Sequence, residues 1–308
     1  MRWIFLLLLL GCPTRAARAL GATQPFALHK VAEGIYTHIG AIALMNAGNE
    51  GGIANLSFII GDKGIAVIDT GGSVREGRRF LAAIRTLSHK PILYVINTHV
   101  HPDHVFGNGA FVAPGTIFVG SRKLPATLSA QGPYYLKSFA PAMGPAMLAD
   151  VTIVPPTLLV DRKLRLDLGD RVLILKAWAG GHSGTDISVE DMRTKTLVAG
   201  DLLFVRHIPV VDDSLLGYLA DTRELALSDA ATIVPGHGPV PQDWHRAVAK
   251  QAAYLETIKA ELQADLKQGK GLAQSVQHVG ESQRAQWQLF DDYNARNATT
   301  GFAELEWK

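Results

Sequence analysis

Thr98-His99-Val100-His101-Pro102-Asp103-His104 follows directly on Ile92-Leu93-Tyr94-Val95-Ile96, a continuous apolar run of strand length. A run of that kind is expected of a strand buried on both faces. Where the chain leaves it still extended, residues two apart point the same way, so His99 and His101 can converge on one point. Pro102 then turns the chain, and Asp103 with His104 opens the next segment, aimed at a neighbouring point. The spacing divides four donor side chains between two adjacent positions.

Upstream, residues 34–39, 54–60 and 65–68 have strand character, and Gly61-Asp62-Lys63-Gly64 joins the last two as a hairpin. Residues 74–87 place Phe80, Leu81, Ile84 and Leu87 at helical spacing. Downstream, residues 121–150 are rich in Ala, Met and Pro and are expected to form a helical insertion. Strands are expected again at 164–168, 172–178, 186–189, 196–199 and 232–234, and helices at 215–227 and 244–266. Strands and helices thus recur in similar order in both halves, without a residue-level repeat. The expectation is an α/β fold in which two sheets pack on each other and each is covered by helices, a four-layer αββα sandwich.

Composition agrees with one large domain. The 308 residues are 47% hydrophobic and 19% charged, enough for a real core and too apolar for global disorder. The formal charge of +2 leaves no polybasic footprint, so no nucleic-acid partner is expected. The one cysteine, Cys12, excludes an internal disulfide and Cys-rich metal sites. A metal must therefore be held by nitrogen and oxygen.

Three further motifs end strand-like segments: Gly180-Gly181-His182-Ser183-Gly184-Thr185-Asp186, Ala199-Gly200-Asp201 and Pro235-Gly236-His237-Gly238. With the H-x-H-x-D-H stretch, and Asp69 in Val67-Ile68-Asp69-Thr70-Gly71, their order resembles the metallo-β-lactamase superfamily over about residues 30 to 240. The resemblance implies that fold, with His99, His101 and His182 on one metal, Asp103, His104 and His237 on a second, and Asp201 bridging them. Two Zn2+ per chain are implied, with iron or manganese as alternatives; imidazole and carboxylate suit zinc at ~2.0–2.2 Å, and paired metals lie ~3.5–4 Å apart. A bridging hydroxide would attack the substrate, with Asp103 orienting it or accepting its proton. Asp69 and Asp186 read as carboxylates that hold ligand loops or histidine N–H groups, or alternatively as turn caps. His207 follows the site and is either substrate-facing or ordinary packing; His38, His89, His245 and His278 are expected at the surface. Tyr134, Tyr135, Met143 and Met147 either roof a pocket or form the insertion's own packing, the second being preferred.

Family members with aspartate at the Asp201 position include thioesterases and lactonases, whereas many zinc β-lactamases carry cysteine or serine there. The expectation is a metal-dependent hydrolase of a small ester, thioester or lactone. Two alternatives remain: a mononuclear iron enzyme resembling the sulfur dioxygenases, and a non-catalytic metal-dependent accessory protein of a redox system. Pro209 to Leu219, the Pro-Gly-His-Gly-Pro segment and the Ala303 to Trp307 ending resemble exported metallohydrolases associated with bacterial sulfur oxidation and quinoprotein relay systems, which implies a periplasmic redox partner.

Met1-Arg2 followed by an apolar run to Leu10, and Ala17-Arg18-Ala19, fits a secretory signal over residues 1–19. Leu9-Leu10-Gly11-Cys12 offers the alternative of a lipoprotein signal with a lipid anchor at Cys12. Cleavage after Ala19 would change the formal charge from +2 to −1. The expected product is an exported, periplasmic domain over residues 25–308, with C-terminal helices over about 244–308 and no membrane span.

Overall fold

The computed structural model describes residues 26–307, so the signal segment and Cys12 lie outside the described residues. Strands β1 (His29–Ala32), β2 (Ile35–His38), β3 (Leu56–Ile60), β4 (Ile65–Ile68), β5 (Ile92–Ile96), β6 (Ile117–Ser121) and β7 (Leu158–Val160) lie side by side in chain order. β1 to β4 are antiparallel, joined by tight turns after β1 and β3 and by the longer segment 39–55 after β2, and β4 to β7 are parallel. The change falls where helix α1 (Val74–Leu87) intervenes, because a parallel pair needs a crossover. Ser73 caps α1 by accepting the Glu76 N–H at 3.1 Å, and Phe80, Ala83 and Ile84 form its buried stripe.

The second sheet holds β8 (Lys163–Asp167), β9 (Val172–Ala177), β10 (Ile187–Asp191), β11 (Thr196–Phe204) and β12 (Thr232–His237), in the order β12-β11-β10-β9-β8. Only β11 and β12 are parallel. The other helices are α2 (Pro102–Val105), α3 (Leu124–Met143), α4 (Pro145–Leu148), α5 (Leu215–Leu225), α6 (Trp244–Lys267), α7 (Leu272–Ser275) and α8 (Phe290–Glu306).

Ile35, Ile68, Ile96 and Val119 of the first sheet meet Leu173, Leu175, Val189 and Val234 of the second in one buried cluster. The outer face of the first sheet packs Phe58, Val67 and Val95 on Phe80 and Ile84 of α1. On the far side, Leu197, Leu203 and Ile233 pack on Leu225 of α5 and on Trp244 and Val248 of α6. These contacts make the four-layer αββα order. A separate cluster joins α5, α6 and α8 to residues 208–211 through Ile208, Val211, Leu215, Tyr254, Ile258 and Phe302. No helix among the described residues is long and apolar enough to cross a membrane.

Residues 121–150, expected as a helical insertion, contain the short α4 and the twenty-residue helix α3, which runs through Pro133 and Pro141. Pro125 sits in its first turn, where no N–H bond is lost. Leu124 and Leu128 anchor it against Val105 and Phe106, which offsets the bonds its internal prolines remove. Strand β11 is longer than the expected 196–199 and carries Asp201 in its middle.

Candidate metal centre

The donor side chains come from the loop after β5, helix α2, the loop before β10, the middle of β11 and the end of β12. At β11 the pairing with β12 shifts register at Gly200, which adopts φ 55° and turns the strand so that Asp201 enters the site. A Cβ on Gly236 would lie 1.8 Å from Asp201 Oδ1, so only glycine fits beside that carboxylate. Pro102 opens α2 and places Asp103 and His104 in its single turn.

Two donor groups result. In the first, His99 Nε2 lies 3.0 Å from His101 Nδ1 and 3.3 Å from His182 Nε2, and His182 Nε2 lies 2.9 Å from His101 Nδ1. In the second, His237 Nε2 and His104 Nε2 lie 3.3 and 3.5 Å from Asp103 Oδ2. Asp201 stands between the groups. Its Oδ2 is 3.2 Å from His182 Nε2 and 3.3 Å from His237 Nε2, and its Oδ1 is 3.3 Å from His104 Nε2. All seven side chains that the sequence motifs point to therefore gather at one place, in the expected two groups.

The outward nitrogen of each imidazole settles which nitrogen faces inward. His104 Nδ1 donates to Asp69 Oδ2 at 2.8 Å, His237 Nδ1 to the Ile53 carbonyl at 3.0 Å, and His182 Nδ1 to the Val210 carbonyl at 2.8 Å. His101 is reversed: its Nε2 donates to Asp212 Oδ2 at 2.8 Å. The Thr98 hydroxyl donates to Asp69 Oδ2 at 2.7 Å and so accepts from His99 Nδ1 at 2.9 Å. With those protons outside, the inward nitrogens of the first group are three lone pairs facing one another, an arrangement that needs a cation between them. A tetrahedral ion at ~2.0–2.1 Å from each nitrogen sets them roughly 3.3 Å apart, near the spacings found. Asp201 Oδ1 and His104 Nε2 are buried and have no hydrogen-bond partner. Orphaned donors of this kind, in an all-nitrogen-and-oxygen set, fit divalent ions of the zinc type.

The electrostatics agree. Burial works against a proton on His237, yet Asp201 and Asp103 outweigh it and push the imidazole up to about 9. Burial would raise Asp103, but His104 and His237 bring it down to about 2. Protons on the second group thus balance carboxylates that a cation would otherwise balance. In the first group burial dominates at two histidines, holding His99 well below its usual range and lowering His182 to about 4, whereas Asp212 outweighs burial at His101 and raises it.

Asp69 accepts from Thr98 N–H, Thr98 Oγ1 and His104, and holds a left-handed φ of 60° to do so. Asp186 accepts the Ser183 N–H and hydroxyl, both at 2.8 Å, and so shapes the loop that carries His182; burial pushes its carboxyl up to about 7. His207 is buried, with Nδ1 donating to the Ile208 carbonyl at 2.6 Å and its ring 5.1 Å from that of His237. It lines the cavity above the centre. His89, His245 and His278 are exposed, while His38 is half-buried and stacks on Phe26.

That cavity, about 570 Å³, is also lined by Tyr134 and Tyr135 of α3, Tyr293 and Arg296 of α8, and Asp212. The four residues of the insertion divide: the tyrosines face the cavity, whereas Met143 is buried with Met45 and Ile53, and Met147 packs on that cluster. Asp212 and Arg296 were not singled out from sequence. Asp212 follows the short apolar run 208–211, which is a weak signal, and Arg296 reaches the site only through the packing of α8.

The metallo-β-lactamase superfamily model matches residues 49–237, more than half of the chain, and the chain belongs to that superfamily. Among solved structures, a stereoselective inverting sec-alkylsulfatase from Pseudomonas sp. is similar with a TM-score of 0.68 at 15% identity, over 91% of this chain and 50% of that one. A metallo-β-lactamase from Pontibacter korlensis is similar with a TM-score of 0.60 at 17% identity, over 75% of this chain and 98% of that one. A linear primary-alkylsulfatase of Pseudomonas sp. (strain ATCC 19151) is 41% identical over 62 residues, which are 20% of this chain and 12% of that curated relative. The chain thus spans a small part of the latter and about half of the sec-alkylsulfatase.

Proposed function

We propose that this chain is a hydrolase that holds two zinc ions and cleaves a small ester, thioester or lactone after export to the periplasm. The observation that carries the reading is Asp201, whose two oxygens face the histidines of both donor groups. A complete second group, Asp103, His104 and His237, favours two ions over a mononuclear site with three ligands. When bound, such a pair supplies a hydroxide near neutral pH and a Lewis-acid contact for developing negative charge. Asp103, held ionised by its histidine neighbours, can accept a proton or orient the nucleophile at Oδ2. Side chains of α3 and α8 line the cavity over the centre and give a substrate surfaces to bind. Export rests on residues 1–19 alone, and a periplasmic redox partner on the sequence resemblance alone.

A second reading, hydrolysis of an alkyl sulfate ester, is favoured by the alkylsulfatase likenesses in both sequence and fold. One experiment separates the possibilities: quantify metals in the processed protein, then assay ester, thioester, lactone, β-lactam and alkyl sulfate panels. About two zincs per chain with turnover of a carboxylic or thioester substrate is expected. Turnover confined to alkyl sulfates moves the assignment to the second reading. One iron with oxygen-dependent persulfide turnover, or full zinc with no hydrolysis, overturns both.

A further inference from the structure

Arg296 is the only lysine or arginine among the described residues that line the cavity. It stands on α8, beyond the stretch that matches the family model, and three residues after Tyr293, which lines the same cavity. Its Nη2 lies 2.5 Å from Asp212 Oδ1, and the other oxygen of that carboxylate takes the His101 N–H at 2.8 Å. The guanidinium is therefore separated from a donor of the first group by one carboxylate. Its side chain remains 56% exposed. A guanidinium has five N–H donors, so contact with one carboxylate oxygen leaves a fork for a second anion.

A different part of the wall is apolar. Leu44 and Tyr134 are among the exposed large hydrophobic side chains, and both line this cavity with Met45 and Phe139. Exposed apolar groups at a cavity mouth are what an apolar ligand portion covers. Charge points the same way: two divalent ions would just balance Asp103, Asp201, Asp212 and a hydroxide, so Arg296 would leave the site with a net positive charge.

We propose that Arg296 is a specificity-determining residue that binds an anionic group, carboxylate or sulfate, on a substrate whose apolar part lies against Leu44, Tyr134 and Phe139. This deepens the hydrolase reading and rests on it for turnover, but the anion contact is a binding property that can be measured without turnover. Asp212 holds the guanidinium beside the centre, so the anion it selects lies near the bond to be cleaved.

The test uses the zinc-loaded full chain and the variants Arg296→Gln and Arg296→Lys. Hydrolysis is measured on 4-nitrophenyl butyrate and on 4-nitrophenyl hemisuccinate, which share a leaving group and differ in a carboxylate. Calorimetry measures binding of octanoate, octyl sulfate and octanol. Arg296→Gln is expected to lower kcat/KM for the hemisuccinate about tenfold more than for the butyrate, as for loss of a charge-assisted hydrogen bond. Affinity for octanoate or octyl sulfate should fall by a similar factor, octanol should be unaffected, and Arg296→Lys should recover part of the loss. The anion that loses more identifies the group selected. Equal losses on charged and neutral compounds, or none on the anions, overturn the proposal. If neither ester is turned over, the hydrolase reading fails for such esters and the calorimetry alone decides the role of Arg296.

Discussion

Behind His104 and His237 stand Asp69 and the Ile53 carbonyl, both from segments flanking the first sheet. Behind His101 and His182 stand Asp212 and the Val210 carbonyl, from one loop that follows β11. That loop is tied to the C-terminal helices: Asn297 of α8 donates to the Pro209 carbonyl at 2.6 Å and accepts the Val211 N–H at 2.9 Å. The second group is thus braced from within the stretch that defines the family, while two thirds of the first group depends on a helix outside it. His99 is the exception, since Thr98 links it to Asp69. The two groups teach that one centre can be supported by two independent parts of a fold, and that changes in the supports should separate them.

Asp201 belongs to both groups, so its loss should have the largest effect. Asp201→Ala removes a carboxylate that faces His104, His182 and His237 and leaves those imidazoles without an anion. Zinc content is expected to fall from about two per chain to one or fewer, and turnover by well beyond the 10–100-fold that outer supports contribute. Metal quantification with kinetics checks it. Undiminished metal and activity would remove Asp201 from the centre altogether.

Smaller effects should follow from the two supporting carboxylates, and here the groups should part. Asp69→Asn weakens His104 directly and His99 through Thr98, so both ions should loosen, each by about 10–100-fold. Asp212→Asn touches His101 alone among the donors and should loosen one ion of the two by a comparable factor. Chelator competition resolves the two affinities. The same pattern in both variants would mean that the supports are not independent.

The parts of this arrangement that the sequence discloses are those written locally. His99, His101, Asp103 and His104 lie within six consecutive positions, and Gly200 and Gly236 mark places where a donor crowds the backbone. Strand β5 and helix α1 follow from unbroken apolar and helical spacing and have the expected bounds. Strands β1, β6 and β7 are three to five residues long and depend on their neighbours for definition, so no local pattern announces them. The supports by Ile53 and Val210 use main-chain carbonyls, which any residue type provides, and are invisible for that reason. Arg296 and Asp212 lie far apart in sequence, and only the packing of α8 on residues 208–211 brings them together.

The smallest expected effect tests the support furthest from the donors. Asn297 is fully buried, and its amide uses both ends: the oxygen accepts from Val211, and the nitrogen donates to the Pro209 carbonyl and to the Tyr254 hydroxyl at 2.9 Å. Asn297→Ala strands the Val211 N–H and the Pro209 carbonyl away from water, while the Tyr254 hydroxyl keeps its bond to Asn294, at a cost of about 1–3 kcal/mol in folding stability. Denaturant unfolding of the metal-free protein measures that part. The comparison is sharpened by what happens to the ions. Val210 lies within the released segment and Asp212 directly follows it, so the first group should lose affinity by less than about tenfold, below the loss of a direct carboxylate support. The second group, braced by Asp69 and Ile53, should keep its affinity. Equal loosening of both ions would show that α8 acts on the whole centre through general stability, since a loop-specific brace cannot reach His104 and His237.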